Sequence, residues 1–166
     1  MNNSYAVPVS CPKSTSNMAW VDGNSLDLGC LGFSKRAGYR SHSPYVTKMC
    51  KKAHSKAHLV EIYNEKQVRF MMSAKVQNYV ASISGVSLDS YSWWIGAELK
   101  HDRWYWTHSN EPIKYWAKIG AGNFNLFRKG NRYAMVRLSK TKGYFNSLYN
   151  KSNKSWKYCM ICQISK

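Results

Sequence analysis

The chain has 166 residues, of which 25 are Lys or Arg and 8 are Asp or Glu, and its formal net charge is +17. This length is typical of one domain with one hydrophobic core. Eight carboxylates leave little general acid or base for catalysis, and the sequence shows no Ser/His/Asp grouping and no close carboxylate pair. The composition therefore argues against an enzyme. No apolar segment reaches the roughly 20 residues that a membrane-spanning helix needs, so no membrane insertion is expected.

The positive charge is unevenly distributed along the chain. From Pro112 to Lys166 there are twelve Lys or Arg and no Asp or Glu. The first 111 residues hold thirteen basic and eight acidic side chains, a net charge of +5. A field of this sign attracts polyanions within about a Debye length. The alternative is that the charge serves only solubility.

The first part of the chain is predicted to contain a tail, a hairpin and a basic segment. Residues 1–10 are expected to be an N-terminal tail. They lack the basic segment and apolar run of a signal peptide, so either a signal has been removed or the protein is not secreted. Residues 22–25, with the sequence DGNS, favour a hairpin turn. Residues 34–42 are basic and contain Gly and Ser, which is typical of an exposed strand edge or a loop.

Two helices with a short strand between them are predicted next. Residues 45–54 follow Pro44 and place apolar residues at helical spacing, so they are expected to form a helix. Residues 57–62 are expected to form a strand. Asn64 followed by Gln67 has the form of an N-cap with its capping-box partner. Apolar residues continue at helical spacing to about residue 80, which predicts the extent of the second helix.

Residues 93–106, WWIGAELKHDRWYW, are predicted to be the middle of a sheet. They consist of two aromatic-rich runs separated by the polar, turn-like sequence KHDR, which is typical of two strands joined by a turn. Residues 107–131 are rich in Gly and Asn and include Trp116, Phe124 and Phe127. This composition favours a long loop with a small core of its own.

The last part of the chain is predicted to contain two strands. Residues 132–138 and 156–164 are expected to be strands, and Gly143 is expected to lie in a turn.

The order of these parts resembles the long form of the C-type lectin-like domain across residues 11–166. Cys50 stands where the first helix of that family carries a cysteine. The sequence AHLVEIYNEKQ resembles the family's strand followed by its second helix, and WWIGAEL resembles the core WIGL strand. The sequence MICQ resembles the closing F-I-C-E, and Trp104, Tyr105, Trp106 and Trp116 resemble the aromatic residues that follow the core strand. The resemblance implies an α+β fold with two helices packed on two small antiparallel sheets and a long loop region.

The resemblance also implies a disulfide pattern and an oxidising, extracellular environment. It implies bridges Cys11–Cys30 and Cys50–Cys162 and leaves Cys159 unpaired within the chain, either as a buried thiol or as a bridge between copies in a homo-oligomer. The family's inner disulfide would need cysteines near residues 133–134 and 149–150, and the sequence has none there. Three sequons, at Asn2, Asn150 and Asn153, support secretion weakly.

The motifs of the family's calcium and sugar site are altered. Where calcium-binding members read E-P-N this chain has residues 121–123, AGN, and where they read W-N-D it has residues 145–147, FNS. Calcium takes six to eight oxygen ligands, normally including carboxylates, and none occurs after Pro112. We therefore expect the calcium site to be lost, with Asn123 and Asn146 as its remnant, and we expect no metal and no cofactor.

His54 and His58 have the spacing of metal ligands on one helix face. The predicted change from helix to strand between them favours satisfied or exposed histidines instead.

The sequence thus predicts a secreted, calcium-independent C-type lectin-like protein that binds polyanions. The expected ligands are sulfated or acidic glycans, an acidic matrix protein or a mineral surface. The basic residues predicted to bind the polyanion are Arg128, Lys129, Arg132, Lys140, Lys142, Lys151, Lys154 and Lys157. A structural, oligomerising role in the extracellular matrix or in secretion is the first alternative, and a calcium-dependent carbohydrate-binding lectin is the second. An extracellular location argues against nucleic acid as the partner.

Overall fold

A computed structural model describes residues 7–35, 44–85, 87–120, 131–149 and 159–165. Three helices are present in these ranges: α1 (Pro44–Ala53), α2 (Glu65–Met72) and α3 (Ala74–Ser84). The strands are β1 (Met18–Asp22), β2 (Cys30–Ser34), β3 (His58–Leu59), β4 (Ser92–Lys100), β5 (Arg103–Trp106), β6 (Lys118–Ile119), β7 (Asn131–Leu138), β8 (Gly143–Tyr149) and β9 (Cys159–Ile164). The α+β fold is confirmed, with three helices where two were predicted.

The strands are joined into one sheet path, in the order β1-β2-β9-β4-β7-β8-β6, with β3 on β9 and β5 on β4. Every pair is antiparallel except β4 and β9, which run parallel with Trp93 opposite Cys159. The two small sheets that were predicted are therefore connected through this parallel pair. The predicted aromatic segment forms β4 and β5, and β4 lies between β9 and β7 in the middle of the path, as expected.

The predicted hairpin at residues 22–25 is confirmed. β1 pairs with β2, and a 3-10 turn at Asn24–Leu26 connects them. The Asp22 carboxylate accepts the backbone N–H of Asn24 at 2.9 Å and its side-chain amide at 2.7 Å, and these bonds lower the pKa of Asp22. The same Asn24 side chain accepts the N–H of Val9 at 2.8 Å and donates to the carbonyl of Val9 at 2.9 Å. The boundary between tail and domain at residue 10 stays a prediction.

The second predicted helix is divided in two. Asn64 caps α2 by accepting the N–H of Gln67 at 2.9 Å, as the sequence predicts, while the Gln67 side chain accepts the N–H of Tyr63 at 2.7 Å. The expected continuation to residue 80 is wrong, because Ser73 is extended (φ −62°, ψ 148°). Its hydroxyl donates to the carbonyl of Phe70 at 2.6 Å and caps α3, which is the competition with helical bonding that serine side chains offer.

Three local predictions about β-structure need correction. Only His58–Leu59 of the predicted strand 57–62 pairs as a strand, although the N–H of Val60 still donates to Ile161 at 3.0 Å. Ser34, expected in an exposed segment, is buried at the end of β2, while residues 36–42 of that segment lie outside the described ranges. Gly143 begins β8 and is not part of the turn. A Cβ there would lie 2.6 Å from the side chains of Val68 and Met72, so α2 packs directly on this backbone.

The core is built on aromatic side chains of the central strands. Trp93 is fully buried and meets Phe33 edge to face at 5.5 Å between ring centroids. Phe145 contacts Trp106 at 6.1 Å and Trp116 at 6.2 Å in the same manner. Trp116, from the long loop, therefore joins the main core and not a separate small one. Phe124 and Phe127 lie outside the described residues.

Both expected disulfides are confirmed. Cys50–Cys162 joins α1 to β9, and Cys11–Cys30 joins the segment before β1 to β2. Cys159 is a free, fully buried thiol whose pKa burial raises to about 12. The alternative of a buried thiol is thus confirmed, and a bridge between copies through Cys159 is opposed by its complete burial. Among the described residues, no helix has the length and apolar character needed to cross a bilayer.

Candidate anion-binding site

An open cleft with basic walls lies where the turn between β7 and β8 faces α3 and the segment before β4. Its volume is about 570 Å³. The described residues that line it are Gln77, Ser87, Asp89, Arg137, Ser139, Lys140, Thr141 and Lys142. We call this site the turn cleft. It brings together two of the lysines that the sequence predicts for polyanion binding, Lys140 and Lys142.

The turn itself is held by Ser139. The Ser139 hydroxyl accepts the N–H of Lys142 at 2.9 Å and the N–H of Thr141 at 3.2 Å, and the Ser139 N–H donates to the carbonyl of Lys142 at 2.8 Å. These hydrogen bonds form within the turn and fix its backbone. The side chains of Lys140 and Lys142 are exposed to solvent. The two ammonium groups are therefore carried on an ordered backbone.

Arg137 also lines the cleft and is fixed by a long-range hydrogen bond. Its Nη2 donates to the backbone carbonyl of Asp89 at 3.0 Å. The 3-10 turn that contains Asp89, Leu88–Ser90, is held in turn by Trp93, whose indole N–H donates to Leu88 at 2.8 Å. One N–H of the guanidinium is thus used for positioning, and the planar fork retains further donors for a bidentate anion.

The charge balance of the turn cleft is positive. Its lining includes three cationic side chains and one carboxylate, that of Asp89, which accepts the Ser87 hydroxyl at 2.6 Å. Lys118 extends the basic surface along the sheet edge, because β6 pairs with β8 and places Lys118 opposite Tyr144. The described ion pairs, Arg69–Glu65 and Lys100–Glu98, do not involve Arg137, Lys140 or Lys142.

The structure separates two other predicted site residues, Arg132 and Asn146, from this cleft. Arg132 lies at the far end of β7, where its guanidinium sits 5.9 Å from the centre of the Tyr133 ring. At about 3.3 Å per residue along a strand, it is roughly 25 Å from Lys140. Asn146 is half-buried in β8 opposite Met135, and its side chain accepts the N–H of Ser147 at 2.8 Å. The remaining predicted residues, Arg128, Lys129, Lys151, Lys154, Lys157 and Asn123, lie outside the described ranges.

Sequence reasoning did not select Arg137 or Asp89 for the site. Arg137 stands between the buried Val136 and Leu138, and this alternation was a signal that its side chain points away from the core. The pairing of Arg137 with Asp89 spans 48 positions, and no local pattern indicates it.

A second polar site at the base of the long loop has a different character, and we call it the Glu61 centre. Glu61 is only 4% exposed. One carboxylate oxygen accepts the N–H groups of His108 and Ser109 at 3.0 and 2.9 Å, and the other accepts the hydroxyl of Tyr63 in a short hydrogen bond. Burial and this bond to Glu61 raise the pKa of Tyr63 to about 12. Both oxygens of the Glu61 carboxylate therefore accept hydrogen bonds from within the chain, and they fix His108 and Ser109 at the base of the loop. Few lone pairs remain for a ligand.

The described residues offer no cluster of three or more His, Cys, Asp or Glu that could hold a metal ion. His58, one of the two histidines singled out by spacing, is buried and satisfied: its ring nitrogens contact the carbonyl of Leu59 at 2.8 Å and the hydroxyl of Ser165 at 2.9 Å. Its ring stacks on that of His108, with centroids 3.6 Å apart. Burial lowers the pKa of His58, so the neutral ring is favoured in the fold.

The known structures that resemble this fold are C-type lectins and related proteins. No protein-family model matches the sequence, and no curated protein matches it. Ovocleidin-17, a major protein of the Gallus gallus eggshell calcified layer, is 19% identical with a TM-score of 0.59, covering 89% of this chain and 97% of that one. The C-type lectin CEL-I from Cucumaria echinata is 16% identical with a TM-score of 0.54, covering 81% and 88%.

A third structure, the C-type lectin domain of murine dendritic cell inhibitory receptor 2 in complex with N-glycan, is 19% identical with a TM-score of 0.52. It covers 95% of this chain and 100% of that one. At these identities the comparisons establish a shared fold.

Proposed function

We propose that this chain, which has the C-type lectin-like fold, is an extracellular binding protein that engages polyanions without calcium. The ligand classes are sulfated or carboxylated glycans, acidic matrix proteins and mineral surfaces. The observation that carries the proposal is the turn cleft, where Arg137, Lys140 and Lys142 line one open depression beside a single carboxylate.

Two physical features of the turn cleft suit a polyanion. The guanidinium of Arg137 is pre-positioned by its bond to Asp89, so less entropy is lost when it binds a sulfate or carboxylate through two donors. The lysines are exposed point charges that adapt to different spacings of anionic groups. Each exposed contact is worth little alone, so useful affinity requires a ligand that contacts several cations at once.

The proposed surface is larger than the turn cleft. It includes Lys118 on the neighbouring edge and Arg132 at the other end of β7 as a second contact point. Arg128 and Lys129 belong to the proposal because they precede Arg132 by four and three residues in the sequence. A polymer long enough to cover roughly 25 Å would reach both points. Lys151, Lys154 and Lys157 belong to the proposal through their place in the same acid-free segment of the sequence.

Calcium independence is proposed from the distribution of carboxylates. No Asp or Glu occurs after Pro112, and the carboxylate at the base of the long loop, Glu61, already accepts three hydrogen bonds. A calcium site would need several carboxylate or carbonyl oxygens converging on one point.

Several further observations support an extracellular binding role rather than catalysis. Two disulfides are typical of proteins from oxidising compartments. Ovocleidin-17 belongs to a calcified layer, which supports a mineral surface as one ligand class, and the N-glycan complex of the murine receptor domain supports glycans as another. The basic surface favours the anionic members of both classes.

Retention on immobilised heparin tests the proposal, using protein made without N-glycans. The double variant Lys140→Ala/Lys142→Ala should elute at clearly lower salt than wild type. The matched variant Lys66→Ala/Lys75→Ala removes the same charge from exposed positions of α2 and α3 outside the turn cleft, and it should elute close to wild type. Equal losses in the two variants would show that net charge alone acts and would overturn the local site.

The alternatives give different outcomes in the same experiment. A calcium-dependent lectin would lose retention on a glycan column when chelator is added, whereas the proposal predicts equal retention with calcium and with chelator. A structural, oligomerising protein would sediment as a stable oligomer and show no loss of ligand binding in the Lys140→Ala/Lys142→Ala variant.

A further inference from the structure

A second groove, lined by different residues, combines an apolar floor with basic walls. It lies between residues 12–18 and the last two turns of α1 and has a volume of about 460 Å³. Its described lining is Pro12, Lys13, Thr15, Asn17, Met18, Trp20, Met49, Lys52, Ala53 and Met160. We call it the methionine groove. None of these residues belongs to the turn cleft, so its ligand is a separate question from the proposed polyanion binding.

The floor of the methionine groove is made mainly of thioether side chains. Met18 is 7% exposed and Met160 is 1% exposed, while Met49 on α1 is half-buried. Methionine side chains are flexible and polarizable and adapt to apolar ligands of different shapes. Beneath the floor, the Sγ of Cys50 lies 4.0 Å from the Sδ of Met160, and the Cys50–Cys162 bridge fixes α1 against β9. The floor is therefore adaptable, and its supporting framework is rigid.

The wall opposite α1 is also held in place. The Ser14 hydroxyl accepts the N–H of Trp20 at 2.9 Å, and the N–H of Thr15 donates to the carbonyl of Met18 at 2.9 Å. The Cys11–Cys30 bridge ties the start of this segment to β2. The groove is thus present before any ligand binds, which lowers the entropic cost of binding.

The charges around the methionine groove have one sign. Lys13 stands on one wall and Lys52 on the other, both are exposed, and the described lining residues include no carboxylate. From residue 28 to residue 60 the sequence has seven Lys or Arg and no Asp or Glu. Two of these, Lys48 and Lys51, lie on the same helix as Lys52. An apolar ligand without charge would leave this positive field unused, and a cationic one would be repelled by it.

We propose that the methionine groove binds an anionic amphiphile, a single molecule with one carboxylate or sulfate group and an apolar chain. The apolar chain lies on Met18, Met49 and Met160. The anionic group lies between the ammonium groups of Lys13 and Lys52. The groove volume falls within the range of small-molecule sites in proteins, and the burial of the chain distinguishes this ligand from the polymers of the turn cleft.

The test uses full-length protein with [¹³C-methyl]methionine and monomeric decanoate as the probe, with titration followed by NMR. Decanoate should shift the methyl signals of Met18, Met49 and Met160 and leave those of Met71, Met72 and Met135 in place. Lys13→Ala/Lys52→Ala should weaken decanoate binding roughly tenfold. The matched variant Lys48→Ala/Lys56→Ala removes two exposed charges from the same region without touching the groove lining, and it should bind almost as well as wild type.

Four results would overturn the proposal. They are the absence of shifts at the three groove methionines, equal weakening in the two double variants, equal binding of decyltrimethylammonium, and binding to anionic lipid vesicles without binding to monomeric decanoate. Met49→Glu places a carboxylate in the groove at a half-buried position and should abolish the shifts at Met18 and Met160. Heparin retention of the Lys13→Ala/Lys52→Ala variant is measured in parallel. Decanoate binding then tests the methionine groove, and heparin retention tests polyanion binding at the turn cleft independently.

Discussion

The Glu61 centre and the turn cleft both carry charged side chains, and they use them in opposite ways. Glu61 is buried, and both of its carboxylate oxygens accept hydrogen bonds from Tyr63, His108 and Ser109. In the turn cleft, Lys140 and Lys142 are exposed, and the neighbouring carboxylate of Asp89 bonds to Ser87. A buried charge with all its partners inside the chain stabilises the fold, whereas exposed charges of one sign remain available to a ligand.

The first and largest test concerns the framework that both regions share. Removing the Cys50–Cys162 bridge, by Cys50→Ala/Cys162→Ala, should lower the free energy of unfolding by about 4 to 5 kcal/mol, because the bridge closes a loop with a sequence separation of 112. Removing Cys11–Cys30, whose separation is 19, should cost about 3 kcal/mol. Urea unfolding measures both. A larger loss from Cys11–Cys30 would contradict the ranking.

The second test separates buried from exposed carboxylates. Glu61→Ala leaves the Tyr63 hydroxyl and the N–H groups of His108 and Ser109 without their acceptor, and it should cost about 3 kcal/mol. The control, Glu65→Ala, removes a surface carboxylate that pairs with Arg69 at 3.5 Å, and it should cost less than about 1 kcal/mol. Urea unfolding measures both losses of unfolding free energy. Losses of similar size in the two variants would show that the hydrogen bonds of Glu61 stabilise the fold no more than a surface ion pair does.

The third test uses pH and the histidine beside the Glu61 centre. The pKa of His58 in the fold lies below its value of about 6.5 in the unfolded chain. Between those two values the unfolded state binds more protons, so the stability should fall as the pH drops below about 6.5, by at most about 1.4 kcal/mol per pH unit. In His58→Gln, the free energy of unfolding should decrease less than in wild type when the pH is lowered from 8 to below about 6.5. A variant that keeps the full slope would assign the pH dependence to another group.

The fourth and smallest effect on stability is expected in the turn cleft. Lys140→Ala/Lys142→Ala removes two exposed side chains whose charges are absent from the described ion pairs, and it should change the free energy of unfolding by less than about 0.5 kcal/mol. Thermal or urea unfolding checks this. A loss above about 1 kcal/mol would give the lysines a structural role and weaken the contrast with Glu61.

The elements that could be predicted from the sequence depend on local pattern or on ordered motifs. The N-cap at Asn64, the WWIG strand and both disulfides belong to this group. The break at Ser73 was missed because the apolar spacing continues across it. At the end of α2 both the hydroxyl and the backbone N–H of Ser73 donate to the carbonyl of Phe70.

Longer-range features could not be predicted. The parallel pairing of β4 with β9 joins Trp93 to Cys159 across 66 positions, and no sequence pattern encodes it. For the candidate site, the sequence indicated the sign and the region of the charge. Lys140 and Lys142, two members of the predicted set, both line the turn cleft. The sequence could not show that the length of β7 separates them from Arg132 or that Arg137 lines the same cleft.

The most direct measurement of the central claim is the salt dependence of binding to a size-defined heparin oligosaccharide. Each cation that contacts a polyanion releases condensed counterions, so the slope of log Kd against log salt concentration reports the number of contacts. Lys140→Ala/Lys142→Ala should weaken binding at low salt and reduce this slope by between about one and two, while Lys66→Ala/Lys75→Ala should leave it unchanged. A slope that is the same in both variants and in wild type would contradict a binding site at the turn cleft.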